Sequence, residues 1–141
     1  MFVIKLETRS DAEKLIDFVR SDNDLPALSV SDLLCDHFVI IKDTQIAGVT
    51  AIGRCNWFSA EIYHTCVLPQ FRGQGIATAL NEFAIYYARD ILAKKLLVCT
   101  VRENNEPSKK LVAKIGFTKV ASFENNGNLI NYYIKQLVVE D

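Results

Sequence analysis

The amino-acid sequence predicts one α+β domain, a mixed and mostly antiparallel sheet of six to seven strands with helices on both faces. Three features carry this. Residues 37–68 break into apolar runs of β-forming residues separated by turns, the apolar period lengthens to about 3.6 from Gly75 onward, and two further strand-like runs flank Asn125-Asn126-Gly127-Asn128. With 141 residues, half of them hydrophobic, the chain suffices for one core and is short for two, so a single domain is expected over 1–141.

Phe2 to Leu6 alternates as a short strand, and Ser10-Asp11-Ala12-Glu13 forms a capping box ahead of Ala12, Leu15, Ile16 and Val19 at helical spacing. Past the breaker Pro26, Ser31 to Cys35 suits a short helix, and Asp22 to Val30 equally suits a loop. His37 to Lys42 and Gln45 to Arg54 read as a hairpin turned by Asp43-Thr44; Asn56 then turns the chain into a third strand, Ser59 to Leu68. From Gly75 to Lys95, Ile76, Leu80, Phe83, Ala84, Tyr87 and Ile91 fall on one helical face, with Lys94 and Lys95 at the end where cations suit the macrodipole. Leu96 to Val101 is a strand buried on both sides. Asn105 to Ile115 is a helix carrying Leu111, Val112 and Ile115 inward, with Gly116 as its stop. Thr118 to Phe123 and Leu129 to Val138 close the chain as a hairpin. This order requires a parallel crossover between the strand ending at Leu68 and the one starting at Leu96.

Composition narrows the function classes. Sixteen basic against seventeen acidic side chains leave a formal charge of -1, so no global field draws the chain to nucleic acid or an anionic membrane. Cys35, Cys55, Cys66 and Cys99 lack a C-x-x-C pair and read as reduced thiols; His37 and His64 lack ligand spacing to them, so no metal is expected. Neither a signal peptide nor an apolar run of membrane length is present in the sequence, which leads to the expectation of a cytoplasmic protein.

The segment Gln70-Phe71-Arg72-Gly73-Gln74-Gly75-Ile76-Ala77 lies between a strand and an amphipathic helix. The first-turn N–H groups of that helix lack intrahelical acceptors, the dipole favours an anion there, and the glycines remove Cβ atoms that would hold a phosphate away. An ordinary glycine loop satisfies the same spacing. Gln70, Gly73 and Gly75, following Val67-Leu68-Pro69, also match a motif Gln/Arg-x-x-Gly-x-Gly/Ala. Downstream, Val101, Asn105 and Ser108 match Val-x-x-x-Asn-x-x-Ala/Ser, and Lys114-Ile115-Gly116-Phe117 matches Lys-x-Gly-Phe. In these motifs the chain resembles the Gcn5-related N-acetyltransferase (GNAT) superfamily, in element order throughout and most sharply from Glu61 to Phe117.

That resemblance implies a GNAT-like fold in which the central parallel pair of strands splays to admit acetyl-coenzyme A. It places the pantetheine arm on the main chain of Cys66, Val67 and Leu68, and the diphosphate on Arg72, Gly73, Gln74, Gly75, Ile76 and Ala77. Asn105 and Ser108 are its further cofactor contacts, although Asn105 also reads as a plain N-cap. Arg72 either pairs with phosphate or faces solvent, and for Lys109 and Lys110 a solvated helix face is preferred. The implied reaction moves an acetyl group to a primary amine. An ammonium with a pKa of about 10.4 must first lose a proton, so a base is useful. Glu61, six residues before Val67 and on the same strand face, is the first choice, with a solvated edge carboxylate as the bland reading. His64 points to the opposite face and reads as a packed or surface histidine rather than a base. The tyrosine that the family often supplies as general acid falls at Val112 here, so Tyr63, Tyr132 and Tyr133 are the candidate substitutes, with a ring packed in the sheet and its hydroxyl at the rim as the other reading of each. Trp57 and Phe58 either wall an acceptor pocket or pack near a turn.

An alternative is an acyl-coenzyme A-binding module without turnover that acts through a protein partner; another is a fold serving only partner binding. The terminal hairpin leaves an edge that a second copy could pair with.

Overall fold

The structure, a computed structural model, describes residues 3–5 and 35–138. The helix expected after Ser10 lies outside these residues, as does all but Cys35 of the one expected near 31–35. Among the described residues the strands are β1 (Val3–Lys5), β2 (Asp36–Lys42), β3 (Gln45–Arg54), β4 (Ser59–Val67), β5 (Leu96–Arg102), β6 (Thr118–Asn125) and β7 (Asn128–Gln136), and the α-helices are α1 (Ile76–Tyr86) and α2 (Glu106–Lys114). The seven strands make one sheet in the order β1-β2-β3-β4-β5-β7-β6, with β4 and β5 parallel. The backbone gathers into two compact units, Met1–Gly53 with Ile62–Ala84, and Arg54–Glu61 with Ile85–Asp141.

In the first unit the β2–β3 hairpin turns on Asp43 and Thr44, both with positive φ, which matches the right-handed twist of the flanking strands. Its apolar residues Val39, Ile40, Ala47 and Val49 are buried with Cys66, Leu68, Ile76 and Leu80 in one core. Burying an aliphatic side chain of this size contributes about 1.5–3 kcal/mol. Gly48 is the contact point. A Cβ there would lie 2.9 Å from Ile76 Cγ2 and 3.1 Å from the Cys66 carbonyl oxygen, so only glycine lets the first residue of α1 rest on β3.

In the second unit β7 pairs antiparallel with both β5 and β6, and the β6–β7 turn uses Asn126 and Gly127 at positive φ. Leu97, Val98, Cys99 and Val101 of β5 are buried with Val112, Phe117, Tyr133 and Leu137. In α2, Val112 is buried as expected, whereas Leu111 and Ile115 are half-buried. β6 is exposed along its whole length, on both faces.

One boundary departs from the sequence expectation. The long helix was expected to run to Lys95; instead α1 gives way to a π turn over Tyr87–Ile91, where Leu92 N–H donates to Tyr87 O at 2.9 Å and Lys94 N–H to Ala88 O at 2.8 Å. The wider turn inserts a residue into the helical register, so Ala84 and Ala88 continue the buried row while Ile91 swings out to 54% exposure. Ala93 at positive φ then ends the helix, and the N–H groups of Lys95 and Leu96 both donate to Phe58 O. Tertiary hydrogen bonds thus override an unbroken helical pattern.

Gly48→Ala is expected to destabilise the protein by about 1–3 kcal/mol through overpacking between β3 and α1, as measured by urea denaturation. An unchanged midpoint would show that α1 does not depend on this contact.

Candidate active site

In the first unit, Leu68 N–H donates to Ala47 O at 2.9 Å and so fastens the end of β4 to β3. A short 3₁₀ turn, Pro69–Phe71, follows and buries Phe71, while the Arg72 backbone N–H closes it onto Pro69 O at 3.3 Å. The Arg72 side chain folds back, its Nε donating to Val67 O at 3.1 Å. Gly73 and Gly75 then take φ of +76° and +81°, in the region that favours glycine. A Cβ on either would meet nothing within 4 Å, so backbone conformation rather than crowding requires glycine here, and the space before the loop is open.

The helical hydrogen bonds of α1 begin with Ala79 N–H to Gly75 O at 3.0 Å. Among the described residues, none accepts from the backbone N–H groups of Gly73, Gln74, Gly75, Ile76 or Ala77. The first turn of α1 carries no acidic side chain to repel an anion. Lys42, at the end of β2, donates from Nζ to Gln74 Oε1 at 2.5 Å. Sequence reading missed this lysine, since 32 residues separate it from its partner and no spacing signals the contact. Five open amides on a glycine turn suit the two phosphates of a coenzyme A diphosphate.

In the second unit, Glu61 is half-buried and burial raises its carboxyl above the usual value of 4.5. Burial first, and then the charge of Glu61, push the Cys99 thiol to about 12 and raise the Tyr132 hydroxyl. Cys55 is raised by the same two causes, against a hydrogen bond from Ser59 and the charge of Lys94. Glu61, Tyr132, Cys55 and Cys99 therefore share one electrostatic environment. Tyr133, paired with Cys99 in the β5–β7 register, is buried instead. Val112 is also buried, so the position at which the family often carries an acid holds a core aliphatic. In the first unit Tyr63 covers Gly53, with ring atom Cε2 2.1 Å from where a Cβ would stand. His64 is packed, its ring 5.5 Å from that of His37.

Asn105 caps α2 by accepting Ser108 N–H on Oδ1 at 3.2 Å, as the cap reading expects, and Ser108 is half-buried. Lys109 is bound in ion pairs with Glu103 and Glu106 at 2.7 and 3.0 Å, whereas Lys110 is exposed. Trp57, 80% exposed, meets the Phe58 ring edge-on at 5.1 Å and stands out from the surface. Asn56 Oδ1 holds that loop by accepting the N–H groups of Phe58 and Ser59 and the Ser59 hydroxyl. Among the described residues no group of three or more His, Cys, Asp or Glu side chains could hold a metal ion, and no helix is long and apolar enough to cross a membrane.

Comparison with known proteins agrees with this architecture. Residues 5–117 match the acetyltransferase (GNAT) family. The chain belongs to that family and is by class an acyltransferase. Its fold resembles a spermidine N-acetyltransferase variant from Vibrio cholerae at 18% identity and TM-score 0.83, covering 97% of this chain and 95% of that one. The IAA acetyltransferase of Bacillus cereus gives 14% identity and TM-score 0.82 over 96% and 99% of the two chains. The Salmonella typhimurium protein yncA, solved with its cofactor acetyl-coenzyme A, gives 17% and 0.78 over 99% and 95%. No curated protein matches the sequence.

The two readings of Asn105 separate experimentally. Asn105→Asp keeps a good N-cap and suits the helix dipole, but it deletes the amide donors and adds negative charge. The melting temperature is expected to hold while the acetyl-coenzyme A Kd weakens about tenfold or more; unchanged affinity by calorimetry would leave Asn105 a cap alone.

Proposed function

We propose that the chain transfers the acetyl group of acetyl-coenzyme A to a primary amine by direct attack within a ternary complex. The observation that carries this reading is the run of open amides from Gly73 to Ala77 ahead of α1. These amides receive the diphosphate, with main chain of Cys66, Val67 and Leu68 along the pantetheine arm and Asn105 and Ser108 on the cofactor from α2. Arg72 contributes by bracing the loop against Val67.

Bound acetyl-coenzyme A supplies an activated thioester. Glu61 takes a proton from the acceptor ammonium, directly or through water, and its raised pKa makes it a stronger base than an exposed carboxylate. The amine nitrogen bonds to the carbonyl carbon, the oxyanion is met by a backbone N–H near Val67, and the carbon–sulfur bond breaks. Tyr132, held neutral by burial and by the charge of Glu61, donates the proton that the departing thiolate needs and is restored by the proton that the new amide nitrogen gives up. Tyr133, buried in the sheet, is the weaker candidate for that role. The acceptor is a small-molecule or protein amine met in the cytoplasm. The near-neutral formal charge of -1 supports neither nucleic acid nor a membrane as partner, and the exposed edge strand β6 suits pairing with a second copy.

Buried Val112 favours a second reading, an acyl-coenzyme A-binding module without turnover. Calorimetry with acetyl-coenzyme A, run beside thiol release over a panel of amines, decides between them. Binding that Gly75→Glu abolishes, accompanied by thiol release, is the expected result. Binding without release for any amine would favour the module, and no binding would sink both.

Glu61→Gln is expected to lower kcat by roughly 10²- to 10⁴-fold with little change in the Kd for acetyl-coenzyme A. Because folding raises this carboxyl's pKa, the native state binds its proton more tightly than the unfolded chain, and stability falls as pH rises through that pKa. At neutral pH the variant should therefore melt higher than the wild type, by on the order of 1–3 °C. The difference should vanish once pH drops below about 4.5, where both states are protonated. A loss of rate without this stability gain would mean that Glu61 ionises without penalty and is not the tuned base.

A further inference from the structure

Beside the head of α2, outside the groups given roles in proton transfer, lies a connected set of polar side chains. Asn131, in the middle of β7, is 0% exposed. Its Oδ1 accepts the Ser122 hydroxyl of β6 at 2.8 Å, and its Nδ2 donates to Glu103 Oε2 at 2.5 Å. Glu103 Oε1 accepts from Lys109 Nζ at 2.7 Å, and the same ammonium donates to Glu103 O at 3.2 Å and to Glu106 Oε1 at 3.0 Å. Glu103 is also fixed through its main chain, its N–H donating to Leu129 O at 2.9 Å. Thus β7 grips Glu103 twice, once by backbone and once by side chain.

Two residues further on stands Asn105. Its N–H returns to Arg102 O at 3.0 Å, and its Oδ1 is occupied by Ser108 N–H at 3.2 Å. The carbonyl side of this amide is therefore engaged in capping, which leaves the Nδ2 hydrogens as the part able to meet an acceptor on a ligand. We propose that Asn131 is a positioning residue for acetyl-coenzyme A, acting through Glu103 to fix the turn from which Asn105 presents its amide to the cofactor. This rests on the acetyltransferase reading and deepens it.

Fold stability alone does not require the arrangement. Isoleucines flank this stretch of β7 at positions 130 and 134, and an apolar residue at 131 would spare the strand a buried amide. The amide instead extends a chain of aligned bonds, hydroxyl to carbonyl and amide to carboxylate, that ends on a charge and polarises along its length. Lys109 and then Asn131 hold the Glu103 carboxyl below its usual range, so the link stays ionised and intact at neutral pH. Such a chain limits the wander of the turn, and a bound ligand then loses less freedom on meeting Asn105.

The test is a double-mutant cycle read by acetyl-coenzyme A calorimetry on the full chain, using wild type, Asn131→Leu, Asn105→Ala and the double variant. Asn131→Leu is expected to weaken binding about tenfold in the wild-type background and less than about twofold once Asn105 is alanine. Glu103→Ala, which cuts the same link from its half-exposed end and keeps Asn131 in place, should repeat the pattern and keeps the test available if the leucine variant does not fold. Additive losses, or unchanged affinity in Asn131→Leu or Glu103→Ala, would overturn the proposal and leave the acetyltransferase reading standing. A wild-type protein that does not bind acetyl-coenzyme A would remove that reading and this proposal with it.

Discussion

The first unit depends on a backbone run that keeps its hydrogen bonds unused. From Gly73 to Ala77 five successive N–H groups have no acceptor among the described residues; Gly73, Gln74 and Gly75 are exposed to water, whereas Ile76 is buried. Everything adjoining that run is fastened down. Leu68 is tied to β3, Phe71 is buried beneath the turn, Arg72 is folded back onto Val67, and Lys42 reaches from the end of β2 to Gln74. Gly48 allows the helix to begin directly on the sheet, with Ile76 1% exposed. Open donors on a rigid frame lose little when an anion replaces water, which is what preorganisation means for a binding site.

In the second unit the governing constraint is the cost of charge in a half-buried setting. Four acids meet there, and among the causes that shift them Lys94 is the only cation, acting on Cys55 alone. Each ionised neighbour makes the next ionisation harder. Glu61 has the lowest ordinary pKa of the four; burial first, and then the charge on Glu61, raise Tyr132 and Cys99. A thiol at about 12 is a poor nucleophile at neutral pH, so on the acetyltransferase reading Cys99 leaves the activated acyl group to the amine. On the acetyltransferase reading, Glu61 and Tyr132 divide the roles of base and acid within this one environment.

Sequence showed those parts of the fold and site that depend on local chemistry. The Asn126-Gly127 hairpin, the cap at Asn105 and the glycine turn before α1 all follow from what their own residues prefer, whereas Thr44 holds a positive φ that a β-branched residue disfavours. The end of the first long helix was not legible, because a π turn and hydrogen bonds to Phe58 decide it and neither leaves a trace in apolar spacing. Nor were the contacts of Lys42 with Gln74 and of Asn131 with Glu103, which join residues 32 and 28 positions apart. An asparagine inside a strand pattern reads as an imperfection in β propensity until its partners are seen. Lys109 forms ion pairs with Glu103 and Glu106 in place of the solvated face expected of it, and these are equally invisible without tertiary structure.

The aliphatic Val112 bears on how the acid role is distributed. Buried and followed by Phe117 N–H donating to its carbonyl at 2.9 Å, it belongs to the core that seats α2, and a phenol there would need both space and a partner for its hydroxyl. β7 offers tyrosines at two successive positions, and strand alternation sends them to opposite faces: Tyr133 pairs with Cys99 and is buried, while Tyr132 pairs with Thr100, is half-buried and feels the charge of Glu61. One of the pair therefore packs the sheet, and the other stands in the environment of the proposed base. On the acetyltransferase reading, moving the hydroxyl from a helix to a strand links acid and base through one field. A protonated Tyr132 and an ionised Glu61 then favour each other, and the pair is set for opposite proton transfers over the same range of pH.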